Sequence, residues 1–139
     1  MAVMVSDVFS ATMSLMDELN EAGAASTANT KEYENRTPGI LNTLLGEYRI
    51  RTGQTKDYSL LTGKDDAIVG IAAPFCRAAL PYGLAAHLLT DENPQAASFY
   101  LQRYEELRDI FILRQPAESV EIEDVYGVAS HPYNDFARW

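Results

Sequence analysis

The most regular pattern of apolar and polar positions lies between residues 80 and 114, where it predicts two helices joined by a tight turn. Asn93 is a favoured N-cap residue, and Pro94 stands at the first helical position, where proline is well tolerated. Beyond them, apolar side chains recur every three or four positions: Ala97, Tyr100, Leu101, Tyr104, Leu107 and Phe111. The helix 94–114 should be roughly 30 Å long. Because the turn is short, the two helices should be antiparallel neighbours.

Earlier stretches of the chain repeat the helical period and predict helices near 4–21 and 31–50, and they extend the first helix of the pair back to residue 65, so that it spans 65–90 with a break at Pro81. A polar stretch punctuated by glycine, 51–64, predicts a surface loop between the second and the third. Together these segments predict an all-α fold, a small bundle of four to five helices that spans residues 1–116.

Capping residues and prolines suggest where these helices begin and bend. Thr30 is the expected cap of the second helix, and Asp65 or Asp66 that of the third. Proline removes a backbone hydrogen bond, so Pro38 should cause a kink or a second start, and the third helix should break at Pro81. The expected buried stripe of the second helix consists of Tyr33, Thr37, Ile40, Leu41, Leu44, Leu45 and Tyr48.

The end of the chain, 117–139, lacks the helical spacing of the earlier segments, which predicts an irregular arm. Gly127 and Pro132 interrupt any regular element, yet the segment is rich in aromatic side chains, which are favoured as interface anchors. The candidate assembly interface consists of Tyr126, Tyr133, Phe136 and Trp139. Two hypotheses remain open: the arm docks on a neighbouring protein, or it folds back and covers its own bundle.

Composition narrows the possible partners. The chain has 139 residues, which suits one domain, and 20 acidic against 11 basic residues give it a formal charge of −9. Sequence-specific nucleic-acid binding is disfavoured, because phosphate contacts need clustered Lys and Arg. Apolar runs fall short of the roughly 20 residues of a membrane span, so no membrane partner is expected. The start lacks the basic region of a signal peptide, which predicts synthesis and retention in a cytosol-like compartment.

Residues that could carry chemistry are few and scattered. Cys76 lies in an apolar run, which favours a buried structural role, and neither His87 nor His131 is placed beside it by the pattern. The sequence has no glycine-rich phosphate loop, metal-ligand spacing or Ser-His-Asp set. Its densest acids would alternate in direction along a strand: Glu118, Glu121, Glu123 and Asp124. We therefore expect no catalytic residues, no cofactor and no metal.

Several motifs in this chain resemble those of small proteins from the morphogenesis clusters of tailed phages and prophages. The central ones are Ala79-Leu80-Pro81-Tyr82-Gly83-Leu84-Ala85-Ala86, Asp91-Glu92-Asn93-Pro94, Phe99 and Arg103-Tyr104-Glu105-Glu106-Leu107. The closing ones are Ile122-Glu123-Asp124-Val125-Tyr126-Gly127 and Phe136-Ala137-Arg138-Trp139. The start, from Val8-Phe9 to Met16-Asp17-Glu18, is similar too. The resemblance covers most of the chain outside the 51–64 loop.

The proteins that share these motifs are head–tail connector, or neck, proteins. The resemblance implies an all-helical adaptor without enzymatic activity, made in a bacterial host cytoplasm and incorporated into the virion. It implies self-association into a ring on the portal, and contacts with the portal and with other neck or tail proteins. Ring contacts are heterologous, so two different patches of the chain should meet around the axis.

A second class of protein also fits the pattern. A cytosolic helical module that binds a ligand or regulates a partner, without catalysis, would have the same composition. Its distinguishing feature would be an apolar pocket with a few convergent polar groups. An enzyme would instead need a cleft with paired acids or a bound metal.

Overall fold

The computed structural model describes residues 2–114, which form a helical bundle. The described elements, in chain order, are β1 (Val3–Met4), α1 (Val5–Leu15), a 3-10 turn (Ala28–Thr30), α2 (Lys31–Arg51), β2 (Ala67–Ile68), α3 (Ala73–Ala78), α4 (Leu80–Leu88) and α5 (Pro94–Arg114). The two short strands pair antiparallel, with Val3 opposite Ile68. The predicted all-α fold is confirmed. The predicted arm, 117–139, lies outside the described residues.

The short helix α4 lies at the centre and contacts the other four helices. Its side chains are apolar almost all round, and Leu80, Leu84 and Ala85 are fully buried. A helix that is apolar on every side is stable only when other elements surround it. Gly83 permits this packing, because a Cβ atom there would lie 2.9 Å from the ring of Tyr104 and 3.0 Å from a methyl group of Leu44.

Aromatic side chains from three helices meet in the core around Phe75 of α3. Its ring stacks on that of Tyr48 from α2, with the centroids 3.9 Å apart. The rings of Tyr104 and Phe111 from α5 meet it edge to face, at 6.4 Å and 5.6 Å. The two edge-to-face contacts have the geometry that aromatic quadrupoles favour. Phe75 of the short helix α3 thus joins the two longest helices.

The first helix ends earlier than its periodicity predicts, at Leu15 instead of near residue 21. Asp17 adopts a left-handed conformation with φ 59°. The amide of Glu18 donates to the carbonyl of Met13, and that of Asp17 to the carbonyl of Ser14. These two bonds form a Schellman motif, which satisfies the last carbonyls and terminates the helix. Apolar spacing persists beyond this point, but the backbone has already turned.

The predicted helix 65–90, with a break at Pro81, is wrong in both its start and its break. Residues 65–72 are not helical: they contain β2 and a bend at Gly70, where φ is +76°. The break falls at Ala79, between α3 and α4. Pro74 and Pro81 each occupy the second position of a helix, where the missing N–H has no partner to lose. They begin the two helices instead of breaking one.

The expected cap at Asp65 or Asp66 is also wrong, because no helix begins there. The Asp66 carboxylate instead accepts hydrogen bonds from the amides of Thr62 and Gly63, at 2.6 Å and 3.0 Å. These backbone donors lower the pKa of Asp66, since they favour its charged form. Asp66 therefore closes the turn that leads into β2.

The second helix agrees closely with its predicted stripe, because every member of the stripe is buried except Ile40, which is half-buried. The helix runs through Pro38 from Lys31 to Arg51, so the predicted second start is wrong. Thr30 stands at the N-cap position, but its hydroxyl donates to the carbonyl of Ala25 at 2.6 Å instead of capping the helix. The cap predicted for α5 is confirmed: Asn93 Oδ1 accepts from the amide of Ala96 at 3.1 Å.

Candidate functional site

The hairpin of α4 and α5 encloses a shallow groove of about 200 Å³ on one side of the bundle, open to solvent. Its lining is mostly apolar and consists of Ala86, His87, Thr90, Pro94, Ala97, Ser98 and Leu101. The Thr90 hydroxyl is already engaged, because it donates to the carbonyl of Ala86 at 2.9 Å. The exposed imidazole of His87 and the hydroxyl of Ser98 are the remaining polar side chains of the lining. The groove can therefore receive an apolar group with one or two polar contacts.

The turn of this hairpin is anchored to α2 by Tyr33. Its hydroxyl donates a short hydrogen bond to the carboxylate of Glu92. That bond, with burial and the negative charge of Glu92, raises the pKa of Tyr33 to about 12. Glu92 also lies just before the N-terminus of α5, where a negative charge is favourable. Its tertiary role had no local signal, because Tyr33 is distant in the chain.

An ion pair between the nearly buried Arg108 and the partly exposed carboxylate of Glu47 joins α5 to α2. The Arg108 guanidinium lies 2.7 Å from the carboxylate of Glu47 and 3.2 Å from that of Asp109. It also lies 5.7 Å from the centre of the Tyr104 ring. Sequence reasoning missed this residue, although its position four residues after Tyr104 and three before Phe111 places it on the buried face of α5.

A second arginine fixes the loop after α2. The guanidinium of Arg49 lies 4.2 Å from the centre of the Tyr58 ring and donates to the carbonyl of Val69 at 2.8 Å. The same loop is held by Asn42, whose amide side chain exchanges two hydrogen bonds with the backbone of Leu61, at 2.8 Å and 2.9 Å. These contacts fix the segment that the sequence predicts only as a surface loop.

The potentially reactive groups of the described residues are separated from one another. Cys76 is 1% exposed, and burial raises the pKa of its thiol to about 11, so the thiol is protonated at neutral pH. His87 is exposed on α4, whereas His131 lies outside the described residues. Residues 2–114 contain no group of three His, Cys, Asp or Glu side chains placed to hold a metal. In the same range, none of the helices combines the length and apolarity needed to cross a membrane.

The predicted interface residues Tyr126, Tyr133, Phe136 and Trp139 lie outside the described residues. The described surface nevertheless exposes large apolar side chains. On α5 the most exposed are Phe99, at 63%, and Leu113, at 84%. Elsewhere, exposed apolar side chains lie near the end of α2 and in the following segment: Ile50, Leu60 and Val69. Contiguous exposed apolar patches mark interaction sites, whereas single exposed apolar side chains are normal on protein surfaces.

Comparison with known proteins gives no significant match to any protein-family model, curated protein or solved structure.

Proposed function

We propose that this protein is a virion structural protein of a tailed phage or prophage, a head–tail connector that assembles on the portal and joins capsid to tail. The observation that carries the proposal is the resemblance of Ala79–Ala86, Asp91–Pro94 and Arg103–Leu107 to connector motifs. In the bundle these segments belong to one packed unit, the α4–α5 hairpin. The resemblance thus falls on the residues that organise the fold.

The chemistry of the described residues supports a structural role. Arg108 holds Glu47, and Tyr33 holds Glu92, so these polar groups join helices to one another. The exposed apolar residues near the end of α2 and in the segment that follows it provide a surface for a neighbouring subunit. A ring requires a second, different patch to receive it, because each subunit contacts the next through a heterologous interface.

The proposed role is tested in the bacterial host that carries the gene. Deleting the gene should give filled heads that lack tails, and the protein should be found in purified particles by mass spectrometry. Expression of the intact protein from a plasmid should restore tailed particles. Normal tailed particles in the deletion strain would contradict the proposal.

The groove between α4 and α5 favours a second candidate function, a cytosolic helical module that binds a ligand or regulates a partner. At about 200 Å³ the groove is smaller than the roughly 300–1,000 Å³ of typical ligand pockets. Ser98 is exposed at its rim, so Ser98→Trp should fill the groove without disturbing the core. A connector with this change should still assemble, whereas a ligand-binding module should lose its function.

A further inference from the structure

The side of α5 that faces away from the bundle carries a regular stripe of six residues. We call it the outer stripe, and it consists of Ala96, Phe99, Arg103, Glu106, Ile110 and Leu113. Successive members are separated alternately by three and four positions. This is the spacing of the a and d positions of a coiled coil, which form the contact between paired helices.

All members of the outer stripe are exposed except Ala96, which is half-buried. Phe99, Ile110 and Leu113 are 63%, 42% and 84% exposed. The side chains of Arg103 and Glu106 are 46% and 50% exposed. The opposite side of the helix holds the buried residues Ala97, Tyr104 and Arg108. The helix therefore has one face that packs on α4 and another that residues 2–114 leave largely uncovered.

The side chains of the outer stripe are arranged symmetrically about its centre. Three pairs are equally spaced about the point between residues 104 and 105. They are Ala96 with Leu113, Phe99 with Ile110, and Arg103 with Glu106. A two-fold axis through that point would bring the members of each pair together from two copies of the helix. Each pairing is complementary: small against large, aromatic against branched aliphatic, and positive against negative.

From this symmetry we propose that the outer stripe is a self-association surface, on which the α5 helix of a second copy packs antiparallel around a two-fold axis. Arg103 and Glu106, now 3.2 Å apart on one helix, would form a cluster of four alternating charges with the same pair of the second copy. A parallel pair would instead place Arg103 against Arg103 and Glu106 against Glu106, which like-charge repulsion opposes.

The proposed contact is small. A single pair of 21-residue helices lies at the low end of interface sizes, below about 1,200 Å². The dimer should therefore be weak and should depend on protein concentration. This inference does not rest on the proposed function, because a two-fold contact is distinct from the heterologous contacts of a ring.

Charge reversal tests the proposal on the full-length protein by sedimentation velocity from micromolar to near-millimolar concentration. Arg103→Glu makes the centre of the stripe negative, and Glu106→Arg makes it positive. Each variant alone should dimerise with a dissociation constant raised by about tenfold or more, because like charges then face each other. An equal mixture of the two should restore association as a heterodimer. If the variants instead lost association because of repulsion within one helix, mixing them would not restore it.

A matched control and an orientation test complete the design. Glu105→Arg reverses a charge on the same helix but off the stripe, and it should leave dimerisation unchanged. For orientation, Ala96→Cys and Leu113→Cys chains are mixed and treated with a short bismaleimide. Cys76, at 1% exposure, should not react. In the antiparallel dimer, a chain with Ala96→Cys should cross-link to a chain with Leu113→Cys. It should not cross-link to a second chain with Ala96→Cys.

Three results would overturn the proposal. The first is a full-length protein that stays monomeric at every concentration. The second is a dimer that neither charge reversal weakens, since its interface would then lie elsewhere. The third is cross-linking of Ala96→Cys to itself, which would show a parallel contact.

Discussion

Tyr33 and Glu92 form the contact that secures the turn between α4 and α5, and it should make stability depend on pH. The pKa of Tyr33 is raised to about 12, so the folded state favours the neutral phenol. The resulting stabilisation is fully present below the unfolded pKa, about 10, and is lost as the pH rises through the folded pKa.

We therefore expect the midpoint of urea unfolding to fall between about pH 10 and pH 12, and to fall less in Tyr33→Phe. The variant is the control for general alkaline effects, because it keeps the ring and removes only the titrating hydroxyl. Parallel curves for the two proteins across this range would show that the Tyr33–Glu92 contact does not contribute.

Leu84 and Leu107 are apolar residues of the two helices predicted between residues 80 and 114, but the structure gives them different environments. Leu84 is fully buried in α4, whereas Leu107 on α5 is half-buried. Leu84→Ala should lower the free energy of unfolding by about 2–5 kcal/mol, the usual cost of a core cavity. Leu107→Ala should cost less than about 2 kcal/mol, because solvent already reaches part of its side chain. Chemical denaturation measures both, and equal losses would contradict this assignment of the core.

At the scale of helices, glycine has opposite roles in α2 and α4. A Cβ atom at Gly83 would lie 2.9 Å from the Tyr104 ring, whereas one at Gly39 meets nothing within 4 Å. Gly83→Ala should destabilise the fold by about 1–3 kcal/mol through overpacking. Gly39→Ala should stabilise it by about 0.5–1 kcal/mol, because alanine has the higher helix propensity. Thermal unfolding of both variants checks the pair, and a stabilising Gly83→Ala would show that α4 and α5 are not in close contact.

The helices that were predicted well are those whose ends carry a local signal. For α5, the period and the Asn93 cap lie in adjacent residues, so its start is correct, and the helix continues to Arg114, the last described residue. For α3 and α4, Pro74 and Pro81 are compatible with either a break or a first turn, and no local pattern decides between them. The paired strands are two residues long, which is too short to establish a period.

The candidate site could be predicted only in part, because several of its contacts have no local signal in the sequence. Contacts such as Arg108 with Glu47 join residues far apart in the chain, and no local pattern predicts such a pairing. The outer stripe, by contrast, is a local pattern on one helix. The spacing of its residues can be recognised in the sequence. Their exposure follows only from the structure, which shows which face of α5 packs on α4.

At the scale of the whole molecule, we predict that the arm is an assembly element that docks through Tyr126, Phe136 and Trp139. Deleting Glu118 to Trp139 should leave the melting temperature of the isolated protein nearly unchanged, since the bundle has its own core. The same deletion should abolish incorporation into particles or binding to connector neighbours. Calorimetry and particle composition measure the two effects.

The alternative, in which the arm covers its own bundle, predicts a different result for the same deletion. The melting temperature should then fall steeply, because apolar surface of the core becomes exposed. A triple substitution of Tyr126, Phe136 and Trp139 by alanine, in the full-length chain, is the matched control. Normal assembly of either the truncated or the substituted protein would contradict the interface role.

The pairing of the first strand with the middle of the chain has a consequence for folding during synthesis. Val3 meets Ile68, and α1 packs on α4, so the first helix acquires its partners only after the ribosome has made much of the chain. At roughly 5–20 residues per second, this delay is on the order of seconds. Throughout it, the apolar face of α1, with Val8 and Phe9, is exposed to solvent. Nascent chains of this protein should therefore be clients of ribosome-associated chaperones until α4 emerges.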